Sequence, residues 1–197
     1  MRVCILTFFL LTAAKAATIV GFGPVTGAAT GGLGSLTTTA PNNDNVVGVS
    51  PNGLSFGLAV NSIGSISHPL LGDGLPGVSE YTLFVLIQNN LALPIVSWTF
   101  HLPGTPYDFD TPDLDAPVLS SLGWAPVQHT DAILKFQGGA LAPGQSMTFQ
   151  FNVDVPAGNL GFSSDFEVAS VPEPSTWVLT MGALLVGAGR MRRRSKA

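Results

Sequence analysis

Met147-Thr-Phe-Gln-Phe-Asn-Val-Asp-Val155 is the stretch on which the fold class turns. Met147, Phe149, Phe151, Val153 and Val155 fall on one parity, and Thr148, Gln150, Asn152 and Asp154 on the other. Successive side chains of a strand point to opposite faces, so this period of two fits a half-buried strand and no helix. Ala142-Pro-Gly144 just upstream supplies the turn that launches it.

The same pattern spreads in both directions. Downstream, Phe162 to Ala169 predicts a last strand with Phe162, Phe166 and Val168 inward. Upstream, Ala132, Leu134 and Phe136 oppose Asp131, Lys135 and Gln137, while Val96, Trp98, Phe100 and Leu102 oppose Ser97, Thr99 and His101. Pro94 suits the first residue of that strand, where no ladder donor is needed. Tyr81 to Ile87 is apolar on both parities, which predicts a strand deep in a sandwich. Leu54, Phe56, Leu58 and Val60 alternate with Ser55, Gly57, Ala59 and Asn61. Turn residues punctuate these runs at Gly64 to Gly77 and at Asn89-Asn90, and a loop is expected from Pro103 to Pro126. Gly21 to Asn45 has little bulk and predicts loops, with one weak strand around Thr18 to Phe22. Seven or so short strands between Gly/Pro turns, with no helical apolar period in the body, predict an all-β sandwich. Leu141-Ala-Pro-Gly-Gln-Ser-Met-Thr-Phe149 also resembles the pre-final strand of immunoglobulin-like domains on exported proteins. The expected body is therefore an immunoglobulin-like β-sandwich over residues 17–170.

Both ends carry a different kind of sequence. Met1-Arg2, the apolar Val3 to Leu11 and Ala14-Lys15-Ala16 form the three regions of a signal peptide, residues 1–16, with cleavage before Ala17. The single cysteine, Cys4, lies in this removable segment, so the mature chain is expected to have no disulfide. At the other end, residues 171–197 run from Val171-Pro-Glu-Pro-Ser-Thr-Trp177 through an uncharged apolar stretch to Gly189, then Arg190-Met-Arg-Arg-Arg-Ser-Lys196. As a single hydrophobic helix, residues 177–189 would rise only about 20 Å. That falls short of a hydrocarbon core of about 30 Å, so spanning it would need bilayer thinning and snorkelling arginines. The cationic side chains Arg190, Arg192, Arg193 and Arg194 orient such a segment with its basic end in the cytoplasm.

This ordered triple closely resembles the PEP-CTERM sorting tail on exported proteins of Gram-negative bacteria. The residues that carry the resemblance are Pro172, Glu173 and Pro174, the run from Trp177 to Gly189, and Arg190 through Lys196. The resemblance implies that exosortase, a multispanning membrane protein with a cysteine-protease-like site, recognises Pro172-Glu173-Pro174 and cuts nearby. It further implies partners in signal peptidase and the secretion machinery, transient residence at the inner membrane, and travel with exopolysaccharide systems to the cell surface or extracellular matrix. It covers only about the last 27 residues. The alternative for this segment is a plain C-terminal anchor that no enzyme cuts.

Charge bounds the partners of the body. The whole chain is formally −4, but residues 17–171 hold eleven acidic side chains and one basic one, Lys135, which leaves −10. Such a domain repels nucleic acid and anionic headgroups, so no nucleic-acid partner is expected. Asp108, Asp110, Asp113 and Asp115 lie at spacings of two, three and two, which could converge oxygens on one Ca²⁺. The spacing is not that of an EF-hand, and the plainer reading is a solvated loop with aspartates capping turns. No other cofactor is implied.

His68, His101 and His129 lack metal-ligand spacing, and no G-x-S-x-G or phosphate-binding loop is present, so the body is not read as an enzyme. Trp98 is expected in the core, and Trp124 and Tyr107 are expected to plug the ends of the sandwich. The expectation as a whole is an exported structural or adhesive module. Two rivals remain. A carbohydrate-binding module would need Trp124 or Tyr107 exposed on a flat face. A secreted hydrolase would need a pocket with paired carboxylates, or a carboxylate and a histidine.

Overall fold

The computed structural model describes residues 19–37, 52–74, 78–104, 107–109, 118–156 and 158–170. The signal peptide, the acidic positions Asp110, Asp113 and Asp115, and the whole tail with Pro172 to Pro174, residues 177–189 and the arginines lie outside them. The described chain is all-β. Its strands are β1 (Ile19–Phe22), β2 (Thr26–Gly27), β3 (Ala29–Thr37), β4 (Asn52–Val60), β5 (Ile66–Ser67), β6 (Leu70–Gly72) and β7 (Val78–Asn89). The second half holds β8 (Ile95–His101), β9 (Asp108–Phe109), β10 (Leu119–Ser120), β11 (Ala125–His129), β12 (Ile133–Leu141), β13 (Ser146–Pro156) and β14 (Ser163–Val168).

Two open sheets carry most of these strands. The first runs β10-β13-β7-β4-β3, with β9 also paired to β13, and the second runs β11-β12-β8-β14-β5-β2. A two-stranded ribbon, β1-β6, completes the set. The chain leaves the first sheet after β4, passes through β5 and β6, and returns as β7, so β4 and β7 pair in parallel from Asn52↔Tyr81 to Val60↔Asn89. Parallel neighbours require such a crossover. β13 pairs antiparallel with β7 without a break, from Ser146↔Gln88 to Pro156↔Val78.

The alternation of β13 does what its sequence predicts: Met147, Phe149, Phe151, Val153 and Val155 are all buried. They meet the second sheet through aromatic rings. Phe149 stands edge-on to Phe100 at 5.2 Å and 4.5 Å from Phe136, and Phe151 lies 4.7 Å from Phe100. Trp98 stacks on Phe166 within its own sheet at 5.4 Å. The inner rows of β4 and β7 (Leu54, Phe56, Leu58 and Val60, with Tyr81, Leu83, Val85 and Ile87) complete the core.

Four expectations are revised. Gly21 to Asn45 is not mainly loop over its described part, Gly21 to Thr37. It includes the nine-residue β3, whose glycines cost strand entropy; Gly31 and Gly32 pair with Leu58 and Gly57 of β4, and the ladder shifts register before Ser35. The stretch from Pro103 to Pro126 contains β9 and β10 and the start of β11, an exposed edge strand whose Ala125-Pro-Val127 start shows no alternation. Tyr81 to Ile87 is not buried on both faces, since Phe84 and Leu86 are exposed. Finally, Ile95 rather than Val96 is buried, because the ladders on both sides of β8 shift register beside it.

Asn89 at the end of β7 is more than a connector. Its Nδ2 donates to the carbonyls of Leu93 at 2.9 Å and Leu141 at 2.8 Å, and its Oδ1 accepts from the Leu91 amide at 2.9 Å. One buried amide thus ties the β7–β8 turn to the end of β12.

Candidate functional site

A concavity lies around His68, where β1, β3 and β4 meet the β5–β6 link. Pro69 has no N–H, and its ring favours an extended backbone at the residue before it, so His68 enters the link extended. The His68 amide donates to the Phe162 carbonyl at 2.9 Å, and Leu70 exchanges two 2.9 Å bonds with Leu160. The link is thereby stitched to the strand entering β14. On the opposite wall the Gly23 amide donates to the Pro69 carbonyl at 2.7 Å. Gly23 and Gly31 permit this closeness: a Cβ on Gly23 would lie 2.7 Å from Pro69 Cγ, and one on Gly31 2.2 Å from Val25 Cγ2.

The result is a cavity of about 390 Å³, walled by Phe22, Pro24, Val25, Phe56, Pro69 and Leu70, with Thr30, His68 and two glycines completing it. No charged side chain lines it. Phe22 and Phe56 stand 5.8 Å apart at 58°, and His68 packs against Phe56 at 5.3 Å and edge-on to Phe162 at 4.5 Å. His68 is only 3% exposed. Burial penalises the imidazolium and pulls its pKa down to about 3, with a main-chain contact of His68 itself opposing the shift weakly. The ring is therefore neutral at every ordinary pH. Its Nε2 lies 2.8 Å from Ser164 Oγ, which is itself buried, and Nδ1 is enclosed by the protein.

This is a histidine–serine pair without an acid and with the serine out of reach, so it lacks the parts of a hydrolytic triad. Chemically, the cavity offers mainly apolar walls, behind which His68 is enclosed with Nε2 held by Ser164. Sequence reasoning noticed His68 but not its surroundings. Phe56 was assigned to the core, and Phe22 and Pro69 gave no signal that they would face one another.

The remaining sequence candidates separate. His101 lies on the outer face of the second sheet, 2.7 Å from Asp165, and His129 ends β11 beside Phe109. Trp124 is 3% exposed, edge-on to Phe149, and a Cβ on Gly139 would lie 2.6 Å from its indole nitrogen. It is the plug expected of it, and Trp98 is fully buried as expected. Tyr107 is half-buried and donates to the Asn159 carbonyl at 3.1 Å.

Asp108 is the one member of the predicted acidic set within the described residues. Its strand partner is Asp154, whose other partner is Glu80, so three carboxylate residues stand in one row across β9, β13 and β7. Glu80 is nearly buried and accepts from Asn152 Nδ2, and Asn152 Oδ1 in turn accepts from Thr82 Oγ1 at 2.8 Å. Among the described residues no three histidine, cysteine or acidic side chains gather as a metal cage.

No family model, curated protein or solved structure matches the chain.

Proposed function

We propose that the chain is an exported cell-surface or extracellular-matrix protein, sorted by exosortase through residues 171–197, with an immunoglobulin-like β-sandwich body in a structural or adhesive role. The observation that carries this reading is the ordered tail: Pro172-Glu173-Pro174, the apolar run 177–189 and the basic cluster 190–196. The fold supports it in one respect. The last described strand, β14, lies between β8 and β5, and the Ala169 amide donates to the Pro94 carbonyl at 2.8 Å just before the tail begins. Cutting near Pro172 would leave every strand of the described body intact. The apolar run retains the protein at the inner membrane until processing, and Arg190, Arg192, Arg193 and Arg194 set its orientation. Signal peptidase acts at the other end. The acidic body is held to anionic exopolysaccharide through bridging Ca²⁺, for which Asp108, Asp110, Asp113 and Asp115 are the candidate ligands.

The test is the double substitution Pro172→Ala/Pro174→Ala in an exosortase-bearing host. The reading expects the variant to accumulate uncut in the membrane fraction while the parent chain reaches the surface or medium. Equal release of both chains would reject Pro-Glu-Pro as the recognition element.

A further inference from the structure

We propose that the outer face of the first sheet is a self-association surface, on which a second copy of this chain packs face to face about a two-fold axis running across the strands. The face has an exposed apolar centre, made by Phe84 and Leu86 of β7 and Leu119 of β10. Ladder register makes them neighbours: Leu119 and Phe84 flank Gln150 in one cross-strand row, and Leu86 lies in the next, beside Thr148. On the far side Ser55 and Gly57 of β4 leave the phenyl and leucyl groups standing above the sheet. A cluster of this kind on an otherwise polar surface marks a contact site. The surface does not depend on how the tail is processed.

Charge names the occupant. Residues 17–171 carry −10, so two copies repel wherever their acidic side chains meet. The outer rows of β7 and β13 from Thr82 and Asn152 to Gln88 and Ser146, with those of β4 beside them, hold no charged residue. A cationic partner gains nothing from an uncharged face, and an anionic polymer or bilayer is repelled by the domain behind it. A second copy brings a matching neutral, apolar patch, and two-fold symmetry makes the patch its own complement. Carboxylates fix the axis. Asp108, Asp154 and Glu80 form a row at one end of the face, and Asn90 and Asn61, joined by a 3.0 Å hydrogen bond, lie at the other. An axis along the strands would set the acidic row on its own copy, whereas an axis across them sets it on the amide end. Strands lie about 4.8 Å apart and rise about 3.3 Å per residue, so the path from β10 to β3, over the length of β4, covers roughly 600 Å². That falls between the about 400 Å² per copy of a chance contact and the about 800 Å² of a stable complex. The dimer is therefore weak, and the dilute chain keeps the face open.

The experiment uses the full chain in a mild non-ionic detergent, on a Cys4→Ser background, with one cysteine introduced by Thr82→Cys or by Gln88→Cys. An axis crossing between Phe84 and Leu86 brings Thr82 of one copy opposite Gln88 of the other, while like positions stand roughly 20 Å apart. The inference expects sedimentation to show a dimer that grows between about 10 µM and about 1 mM chain. Added salt should strengthen it by screening the repulsion between copies. Under oxidation the mixture of the two variants should give a mixed disulfide dimer, and neither variant alone should give one. Leu86→Lys should weaken association at least about tenfold. Val127→Lys, which adds the same charge at an exposed position on the edge of the second sheet, should leave it unchanged. A chain that stays monomeric throughout this range would overturn the inference. So would dimers that Leu86→Lys leaves intact, which would place the contact elsewhere, the tail included, or disulfides formed by each variant alone instead of by the mixture.

Discussion

The two central strands, β7 and β8, reverse one another on their outer faces. β7 turns Phe84 and Leu86 to solvent at 38% and 45% exposure, whereas β8 buries the polar Ser97 and Thr99 to 1% and 7%. Hydropathy alone would assign the opposite. The neighbours explain it. On one side Phe84 and Leu86 stand beside Ser55 and Gly57 of β4, which are too short to cover them, and on the other beside Gln150 and Thr148 of β13. Ser97 and Thr99 stand between Gln137 and Lys135 on one side and Glu167 and Asp165 on the other. Lys135 Nζ reaches Glu167 at 2.8 Å across β8, and His101 at the end of β8 reaches Asp165 of β14 at 2.7 Å. Outer-face burial thus follows the neighbours on both sides, here the small β4 residues beside β7 and the ion pair across β8, more than the hydrophobicity of the residue itself.

The largest expected effect lies where both sheets approach the β5–β6 link, at His68. Its folded pKa lies below its unfolded value of about 6.5, so the unfolded chain takes up the proton first. The stability it contributes is fully present above pH 6.5 and is lost as pH falls toward 3. The slope is about 1.4 kcal/mol per pH unit and the total roughly 4–5 kcal/mol. Urea unfolding from pH 7 to pH 4 should show roughly 3 kcal/mol of this loss, and His68→Phe should remove most of it. A slope unchanged in the variant would contradict the assignment.

Next in size is the shared inner face. Phe149→Ala deletes a ring that touches Trp98, Phe100, Trp124 and Phe136, and should cost about 3–5 kcal/mol. Asn89→Ala leaves the Leu141 and Leu93 carbonyls and the Leu91 amide without their present partner, and should cost about 2 kcal/mol or more. The ion pair across β8 matters less. Lys135→Met should change stability by a few tenths of a kcal/mol at low salt, because Glu167 is well exposed, and the difference should vanish at high salt. Smallest is Phe84→Ser on the uncovered face, expected within about 0.5 kcal/mol of the parent chain. A large loss there would mean that the face is covered in solution.

The inner faces were legible in the sequence because alternation of large apolar residues leaves one solution. β4, β12, β13 and β14 follow from parity, with Trp98 and Trp124 placed correctly. The outer faces were not legible, since they depend on register between strands far apart in the chain, such as Ser97 with Gln137 and Glu167. β3 was missed because Gly31 and Gly32 give no period, and its strand state comes from pairing with β4. The His68 cavity was hidden for the same reason. Residues from Phe22 to Leu70 meet there through ladder and loop contacts that no local pattern announces.

The most direct test of the sorting claim is the intact mass of the protein recovered from the envelope and medium of an exosortase-bearing host. The account predicts a chain that begins near Ala17 and ends close to Pro172-Glu173-Pro174. A chain still carrying Arg190 to Lys196 in both fractions would contradict it and make the tail a plain anchor.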